Sequence, residues 1–206
     1  MSTGASRHRS WLPGFIVAAA LAIALHVAAA DTPPAETAWG LPQLMASMHG
    51  VRTASARFVE KKFVQLLARP LQSSGTLIFN APDRLQKETL APTASRLTVN
   101  GDRLTVVQPD GKTRDMSLSE VPEIGALVES IRATLAGDGA TLTRYYTPTL
   151  SGTASNWSLT LEPRNSRLRD LVTTIHMQGE GTIIRSIETV EHDGDRTEMT
   201  ITPDPR

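Results

Sequence analysis

The stretch "SSGTLIFNAPDRLQKETLAP", residues 73–92, decides the fold class because it contains two strand patterns joined by a turn. An apolar run ends at Phe79, the sequence "NAPD" follows, and an alternating segment begins at Arg84. Strand-forming residues bounded by Asn, Pro and Asp are typical of a short antiparallel pair. Nothing in the stretch is typical of a catalytic site, so it predicts a plain β-meander.

The strand pattern continues along the chain. Asn100-Gly101 is a strong hairpin signal, because it lies between two alternating segments and suits a tight turn. Residues 55–71 mix apolar and charged side chains and would also be compatible with a helix. Further strands are predicted at residues 143–146, 157–161, 171–177, 182–190 and 198–202. Roughly ten short strands joined by short turns predict one antiparallel sheet.

Two helices interrupt these strands. The first is predicted to end at Gly50, and its apolar face, at helical spacing, is made of Leu41, Leu44, Met45 and Met48. In the second, Ser117 and Glu120 have the spacing of a capping box, Ser119 is a competing cap, and Gly137 suits the end. Its apolar face comprises Ile124, Leu127, Val128, Ile131 and Leu135. Both faces need a partner surface, so the predicted fold class is α+β, a curved sheet with helices on one side.

Alternation along the strands predicts that one face of the sheet is apolar. The residues that share this face are Leu77 and Phe79, Leu97 and Val99, Leu104 and Val106, and Trp157, Leu159 and Leu161. Such a face under two helices either packs solid or encloses a cavity. The periodicity leaves both outcomes open, although protein interiors normally fill completely.

The first 30 residues have the features of a secretory signal peptide. Arg7 and Arg9 supply positive charge, an uncharged and mostly aliphatic run follows, and Ala28-Ala29-Ala30 offers small residues to a signal peptidase. We therefore predict cleavage before Asp31, with residues 31–206 forming a single domain. A retained membrane anchor is the alternative, and the alanine-rich composition of the run favours removal.

The composition excludes several classes of function. The chain of 206 residues contains no cysteine, so neither a disulfide nor a lipid-modified cysteine can form. The signal segment holds two of the 21 basic residues and none of the 21 acidic ones, which leaves a mature net charge of −2. A nucleic-acid partner would need a basic face, so none is expected.

No catalytic or metal-binding motif is recognisable in the sequence. His49, His176 and His192 share no metal-ligand spacing, and the G-x-S-x-G motif of serine hydrolases does not occur. The acidic residues between 188 and 198 surround a predicted hairpin turn, where a solvated tip is the simplest interpretation. We therefore expect no enzyme activity, no metal and no cofactor.

Several short motifs follow one another in an informative order after the first helix. They are Ala56-Arg57-Phe58, Gly75-Thr76-Leu77, the turn Pro82-Asp83-Arg84-Leu85, Pro92 and the hairpin Asn100-Gly101-Asp102. This order resembles the periplasmic outer-membrane lipoprotein carrier family, the LolA-like proteins, over about residues 41–202. The chain departs from the family pattern in having Glu60 for a usual glutamine, Ala81 for a frequent arginine, and Lys87 or Glu88 for a common tryptophan.

The resemblance implies an incomplete, or half, antiparallel β-barrel of about 10–11 strands, with short helices covering its concave face. It also implies a periplasmic carrier or chaperone that shields acyl chains of lipoproteins or lipids between the inner and outer membranes. Its partners would be the acylated lipoprotein or lipid cargo, an inner-membrane exporter as donor and an outer-membrane acceptor. The carrier would be a monomer without stable membrane insertion.

The same resemblance implies a hydrophobic cavity for the acyl chains, lidded by helices that dock through apolar stripes alone. The expected lining of the cavity comprises Phe58, Phe63, Phe79, Leu97, Val99, Leu104, Val106 and Trp157 from the sheet, and Leu127, Val128 and Ile131 from the lid. Ordinary core packing is the alternative for each of these residues. An envelope-stress sensor or protein-interaction module on the same half-barrel is the alternative function.

Overall fold

The pattern of residues 73–92 belongs, in the computed structural model of the protein, to a large antiparallel sheet. The structure describes residues 39–120 and 122–205, apart from the side chains of residues 122–124. The predicted signal peptide at residues 1–30 and its cleavage point lie outside the described residues, as does the side chain of Ile124.

Four helices and eleven strands form within the described residues. The helices are α1 (Leu41–His49), α2 (Pro122–Ala136), α3 (Gly139–Tyr145) and α4 (Ser166–Arg169). The strands before α2 are β1 (Thr53–Phe63), β2 (Leu71–Asn80), β3 (Arg84–Ala91), β4 (Ser95–Asn100), β5 (Arg103–Val107) and β6 (Thr113–Ser117). The strands after α3 are β7 (Tyr146–Thr153), β8 (Asn156–Pro163), β9 (Val172–Glu180), β10 (Ile183–Glu191) and β11 (Arg196–Pro203).

All eleven strands belong to one open sheet, in the order β6-β5-β4-β3-β2-β1-β11-β10-β9-β8-β7. The chain therefore builds two meanders, and the antiparallel pairing of β1 with β11 joins them in the middle. The sheet does not close, because β6 and β7 are its two edges. Helices α2 and α3 connect these edges, so the chain crosses one face of the sheet between them. This is the α+β class that the strand and helix patterns predict, and the half-barrel that the family resemblance implies.

The two faces of the sheet differ in chemistry. We call the face that packs against α1, α2 and α3 the inner face, and the opposite one the outer face. Residues opposite each other in an antiparallel pair share a face. The register of Phe58 with Ile201, and of Val99 with Leu104, therefore places these four buried residues on the inner face. The outer face carries mainly Thr, Ser, Arg and Glu, as the alternation predicts.

Helices α1 and α2 meet where both end. Leu44, Met45 and Met48 of α1 are buried, as the spacing predicts. Gly137 follows α2 with φ of +68°, a conformation that favours glycine. A side chain at 137 would also lie 2.2 Å from the carbonyl oxygen of Met45. The close approach of the two helix ends therefore requires this glycine.

Two local predictions are wrong. Residues 143–146 were expected to form a strand, but α3 continues to Tyr145 and β7 begins only at Tyr146. The expected capping box does not cap α2, because Ser117 is the last residue of β6 and the helix begins five residues later. Instead, the amide of Ser117 donates to the Glu120 carboxylate within the intervening turn. The segment that is ambiguous from residue 55 onward belongs to β1 as far as Phe63, and β2 begins at Leu71.

Candidate functional site

The inner face beneath the helices is the candidate site, and three of the four predicted aromatic lining residues lie on it. Phe58 on β1, Phe79 on β2 and Trp157 on β8 are 2%, 3% and 1% exposed. On β4 and β5 the buried residues are Val99 and Leu104. Leu97 and Val106 face each other in the same register and are half-buried. Strand periodicity thus brings these side chains onto one surface.

Many of the apolar side chains of this surface belong to two clusters. The main core gathers residues of α1, α2 and α3 with β7–β11, and Trp157 belongs to it. The second cluster consists of buried Val99, Leu104 and Leu118. Of the predicted lid residues, Leu127 and Ile131 pack against the main core, whereas Val128 packs against the second cluster. Helix α2 therefore contacts both clusters.

Glycine makes room for an aromatic ring at the centre of the site. Phe58 lies directly opposite Gly75 in the pairing of β1 with β2. A Cβ at position 75 would lie 3.0 Å from Cε1 of Phe58 and 1.8 Å from the carbonyl oxygen of Glu88. The bare backbone of Gly75 therefore lets the ring lie close against the neighbouring strand.

A charged pair also lies on the inner face. The Lys87 Nζ atom donates to Oε2 of Glu60 at 2.6 Å, and the Ser73 hydroxyl donates to Oε1 of Glu60 at 3.2 Å. The Lys87 ammonium lies 5.0 Å from the centroid of the Phe58 ring. The side chains of Lys87 and Glu60 are 29% and 18% exposed. Glu60 and Lys87, which both depart from the family pattern, thus contact each other on the inner face.

A second pair lies further along β1. Lys62 shares the strand face of Glu60, and its ammonium donates to Oε1 of Glu191 at 2.8 Å. The hydrogen bond with Glu191 raises the pKa of Lys62 above its ordinary value, against the opposing effect of burial. The Lys62 ammonium is therefore charged at neutral pH.

The acidic turn between β10 and β11 does form a carboxylate cluster. Oxygens of Glu191, Asp193 and Asp195 lie within 4.8 Å of one another. Lys62 donates to Glu191, and the backbone amide of Gln65 donates to Asp195. The cluster therefore holds the β1–β2 hairpin against the β10–β11 hairpin. These contacts explain why the carboxylates lie close together.

Polar contacts as well as apolar ones hold α2 in place. The Arg132 guanidinium donates to the carbonyl oxygen of Gly101 in the β4–β5 turn at 2.8 Å and pairs with Glu129. The buried Tyr146 hydroxyl donates to the carbonyl oxygen of Ala126 at 3.3 Å. The prediction that the helices dock through apolar stripes alone is therefore wrong for α2.

The turn before α2 is fixed by Asp102. Its carboxylate accepts hydrogen bonds from the hydroxyl of Ser117 and from the amide of Ser119. These bonds, that of the Ser117 hydroxyl first, lower the pKa of Asp102 below its ordinary value. The carboxylate is therefore ionised at neutral pH and fixes the start of the segment that leads into the lid.

One predicted lining residue lies elsewhere. Phe63 is opposite Arg196 in the β1–β11 pairing, on the strand face opposite to that of Phe58. The Arg196 guanidinium carbon lies 4.5 Å from the centroid of its ring. Phe63 follows Phe58 by five positions, an odd separation, and odd separations on one strand place side chains on opposite faces. Conversely, Glu60 and Lys62 share the parity of Phe58, which is the signal that places them on the inner face.

The histidines do not come together in a site. His49 is exposed at the end of α1, and His192 is exposed in the β10–β11 turn. The Nδ1 atom of His176 lies 3.0 Å from the hydroxyl of Thr160, which is opposite His176 on the adjacent strand.

Within residues 39–120 and 122–205, no helix combines the length and the apolar character that crossing a membrane requires.

The fold and the site together define an open antiparallel half-barrel with a helix-covered apolar face. The chain belongs to the family described as outer membrane lipoprotein carrier protein LolA-like, whose family model matches residues 30–202. No curated protein matches the chain.

Several solved structures are similar to the chain at low identity. A LolA superfamily protein from Nitrosomonas europaea is 11% identical over 80% of this chain and 92% of that chain, with a TM-score of 0.44. A DUF1329 family protein from Desulfovibrio piger is 10% identical over 79% and 88%, with a TM-score of 0.43. The MucA/MucB complex of Pseudomonas aeruginosa is matched at 10% identity over 81% and 57%, with a TM-score of 0.39.

Proposed function

We propose that the protein is a periplasmic carrier that shields the acyl chains of lipoproteins or lipids between the inner and outer membranes. The observation that carries the proposal is the apolar inner face of an unclosed sheet, with α2 lying across both of its hydrophobic clusters. Membership of the LolA-like family supports it. The predicted signal peptide supports export.

The chemistry of the inner face suits an acyl chain. Removing a methylene group from water stabilises the bound state by about 0.8 kcal/mol, without directional contacts. Phe58, Phe79, Val99 and Leu104 are buried in this structure, and in the proposal they contact the acyl chain when α2 moves away from them. Because each methylene contributes alike, the site discriminates little between chains of similar length.

The carrier receives its cargo from an inner-membrane exporter and passes it to an outer-membrane acceptor. No covalent step is needed, because movement of α2 relative to the two clusters is enough to admit and release a chain. The polar contacts of Arg132 and Tyr146 define where α2 rests when the site is closed. Phe63 is not part of the proposed lining, because it lies on the outer face.

Titration of the purified, delipidated protein with a fluorescent fatty-acyl probe tests this proposal. We expect saturable binding, and we expect Leu97→Gln to weaken it roughly ten-fold, since a half-buried apolar contact is replaced by an amide. Thr98→Gln is the matched control, because residue 98 is on the outer face and should leave the affinity unchanged.

Two results together would overturn the proposal. They are the absence of probe binding by the unaltered protein, and the absence of any acyl ligand in its native mass spectrum after purification from cells. A stoichiometric membrane protein recovered with lipid-free protein would instead support the interaction-module alternative.

A further inference from the structure

The charged pair Lys87–Glu60 lies where strand register would place apolar side chains. In the pairings of β3 with β2 and β4, Lys87 is opposite Leu77 and Leu97. Glu60 is opposite Met199 on β11 and Ser73 on β2. The pair is thus set into the inner face, next to the Phe58 ring, and not at the rim of the outer surface.

Stability alone does not account for this pair. Charges lose hydration on an apolar surface, and a partly buried ion pair often stabilises a fold no more than two packed apolar side chains do. The Glu88–Arg96 pair provides a contrast, because Glu88 follows Lys87 on β3 and pairs with Arg96 of β4 on the outer face. There, with side chains 31% and 50% exposed, the charges meet water as surface charges usually do.

Further polar side chains lie around the pair on β1–β4. We define the polar patch as the inner-face residues Glu60, Lys62, Ser73, Lys87, Thr89 and Ser95. Lys62 brings its partner Glu191 with it, so the ionised groups of the patch and Glu191 are two ammonium groups and two carboxylates. Donors and acceptors therefore lie side by side, with no net charge.

This patch adjoins the surface proposed to hold the acyl chain. Phe58 contacts the Lys87 ammonium with its ring face, while Phe79, Leu85 and Val99 continue the apolar surface away from the patch. An amphipathic ligand can therefore place its chain along the apolar residues and its polar end on the patch. The arrangement fixes the direction in which such a ligand lies.

We propose, resting on the carrier function above, that the polar patch binds the zwitterionic headgroup of a phospholipid-type ligand. The Lys87 ammonium contacts the phosphate, and the Glu60 carboxylate contacts the positively charged amine. A lysine ammonium has three N–H donors and a carboxylate several acceptor positions, so each can bind the headgroup while keeping its partner. A purely anionic headgroup gains less, since Glu60 and Glu191 oppose it.

Headgroup preference in delipidated protein tests the inference. The probes are phosphatidylethanolamine and phosphatidylglycerol with identical fluorescently labelled acyl chains, and a labelled diacylglycerol without a charged head. We expect the unaltered protein to bind the ethanolamine lipid about five-fold more tightly than the glycerol lipid. Glu60→Gln should abolish or invert that preference, because it leaves Lys87 without its carboxylate partner. Lys87→Gln should weaken both phospholipids and leave the diacylglycerol affinity unchanged.

Glu88→Gln is the matched control. It removes the same charge from the same sheet on the outer face, so it should keep the five-fold preference. Equal affinity for both phospholipids in the unaltered protein, or a preference that Glu60→Gln leaves intact, would overturn the inference. The first of these results needs no variant, so a variant that does not fold leaves the test decisive. Failure to bind any of the three probes would instead overturn the carrier function.

Discussion

Trp157 lies directly opposite Gly179 across β8 and β9, and its indole ring occupies the space that a side chain at 179 would need. A Cβ at that position would lie 2.2 Å from Cζ2 of the ring and 2.3 Å from the carbonyl oxygen of Ile183. The indole N–H donates to the carbonyl oxygen of Gly181 at 3.0 Å. The largest ring of the inner face is therefore accommodated by a residue without a side chain, as Phe58 is by Gly75.

We expect Gly179→Ala to lower the free energy of unfolding by about 1–3 kcal/mol, because the ring and the strand must both shift to admit a methyl group. Urea denaturation followed by tryptophan fluorescence measures the change. Gly50→Ala is the control, since a Cβ at position 50 meets its nearest atom at 3.5 Å and the backbone there is helical. Equal stability of the two variants would contradict the packing described for Trp157.

Replacing Arg132 should loosen the lid. Arg132→Met removes the hydrogen bond to Gly101, so we expect a loss of about 1 kcal/mol in stability and faster release of a bound acyl probe. Glu129→Gln is the matched control, because it alters the neighbouring pair and keeps the bond to Gly101. Stopped-flow displacement of the probe measures the release rate. Identical rates in both variants and the unaltered protein would show that this contact does not hold α2 over the site.

The buried Tyr146 predicts a loss of stability at high pH. Burial raises the pKa of its hydroxyl from 10.0 to about 12, so the folded state retains a proton that the unfolded state has already released. The contribution of Tyr146 to the free energy of unfolding is fully present below pH 10. It falls by about 2–3 kcal/mol in all as the pH rises through about 12.

The comparison with Tyr146→Phe isolates this contribution of Tyr146. The variant should be less stable by about 1 kcal/mol at pH 8, because the bond to the Ala126 carbonyl oxygen is lost. It should then lose less stability than the unaltered protein between pH 9 and pH 11. Parallel curves for the two proteins in urea denaturation would exclude a raised pKa at Tyr146.

The two phenylalanines of β1 should differ in their effect on ligand binding. Phe58→Leu changes the inner face and should weaken acyl-probe binding several-fold, since aromatic surface beside Lys87 is lost. Phe63→Leu changes the outer face, where the ring contacts Arg196, and should leave the affinity unchanged. Probe titration of both variants measures the difference, and a stronger effect of Phe63→Leu would contradict the assignment of faces.

Much of the fold can be predicted from the sequence because strand periodicity and turn chemistry are local signals. The alternation of Leu97 with Val99, and of Leu104 with Val106, identifies the inner face of β4 and β5 before any pairing is known. The hairpin between them forms at Gly101, which has φ of +59°. The helical spacing of Leu44, Met45 and Met48 likewise identifies the buried side of α1.

The remaining features depend on contacts between residues that are distant in the chain. Glu60 and Lys87 are 27 residues apart, and only the β1–β2–β3 register brings them together. The hydrogen bond from Arg132 to Gly101 likewise joins residues that are 31 positions apart in the sequence. The strand predicted at residues 143–146 failed because Thr, Arg and Tyr are compatible with either state, and packing of Leu142 in the main core decides for α3.

The central claim is that an acyl chain binds along the inner face, and photolabelling tests it most directly. Delipidated protein would be irradiated with a fatty acid that carries a diazirine near the end of its chain, and the labelled residues would be identified by peptide mass spectrometry. The account predicts labels on inner-face residues such as Phe79, Val99 and Leu104, and on Val128 of the lid. Labels confined to outer-face residues such as Phe63, Thr98 and Glu88, or no saturable labelling, would contradict it.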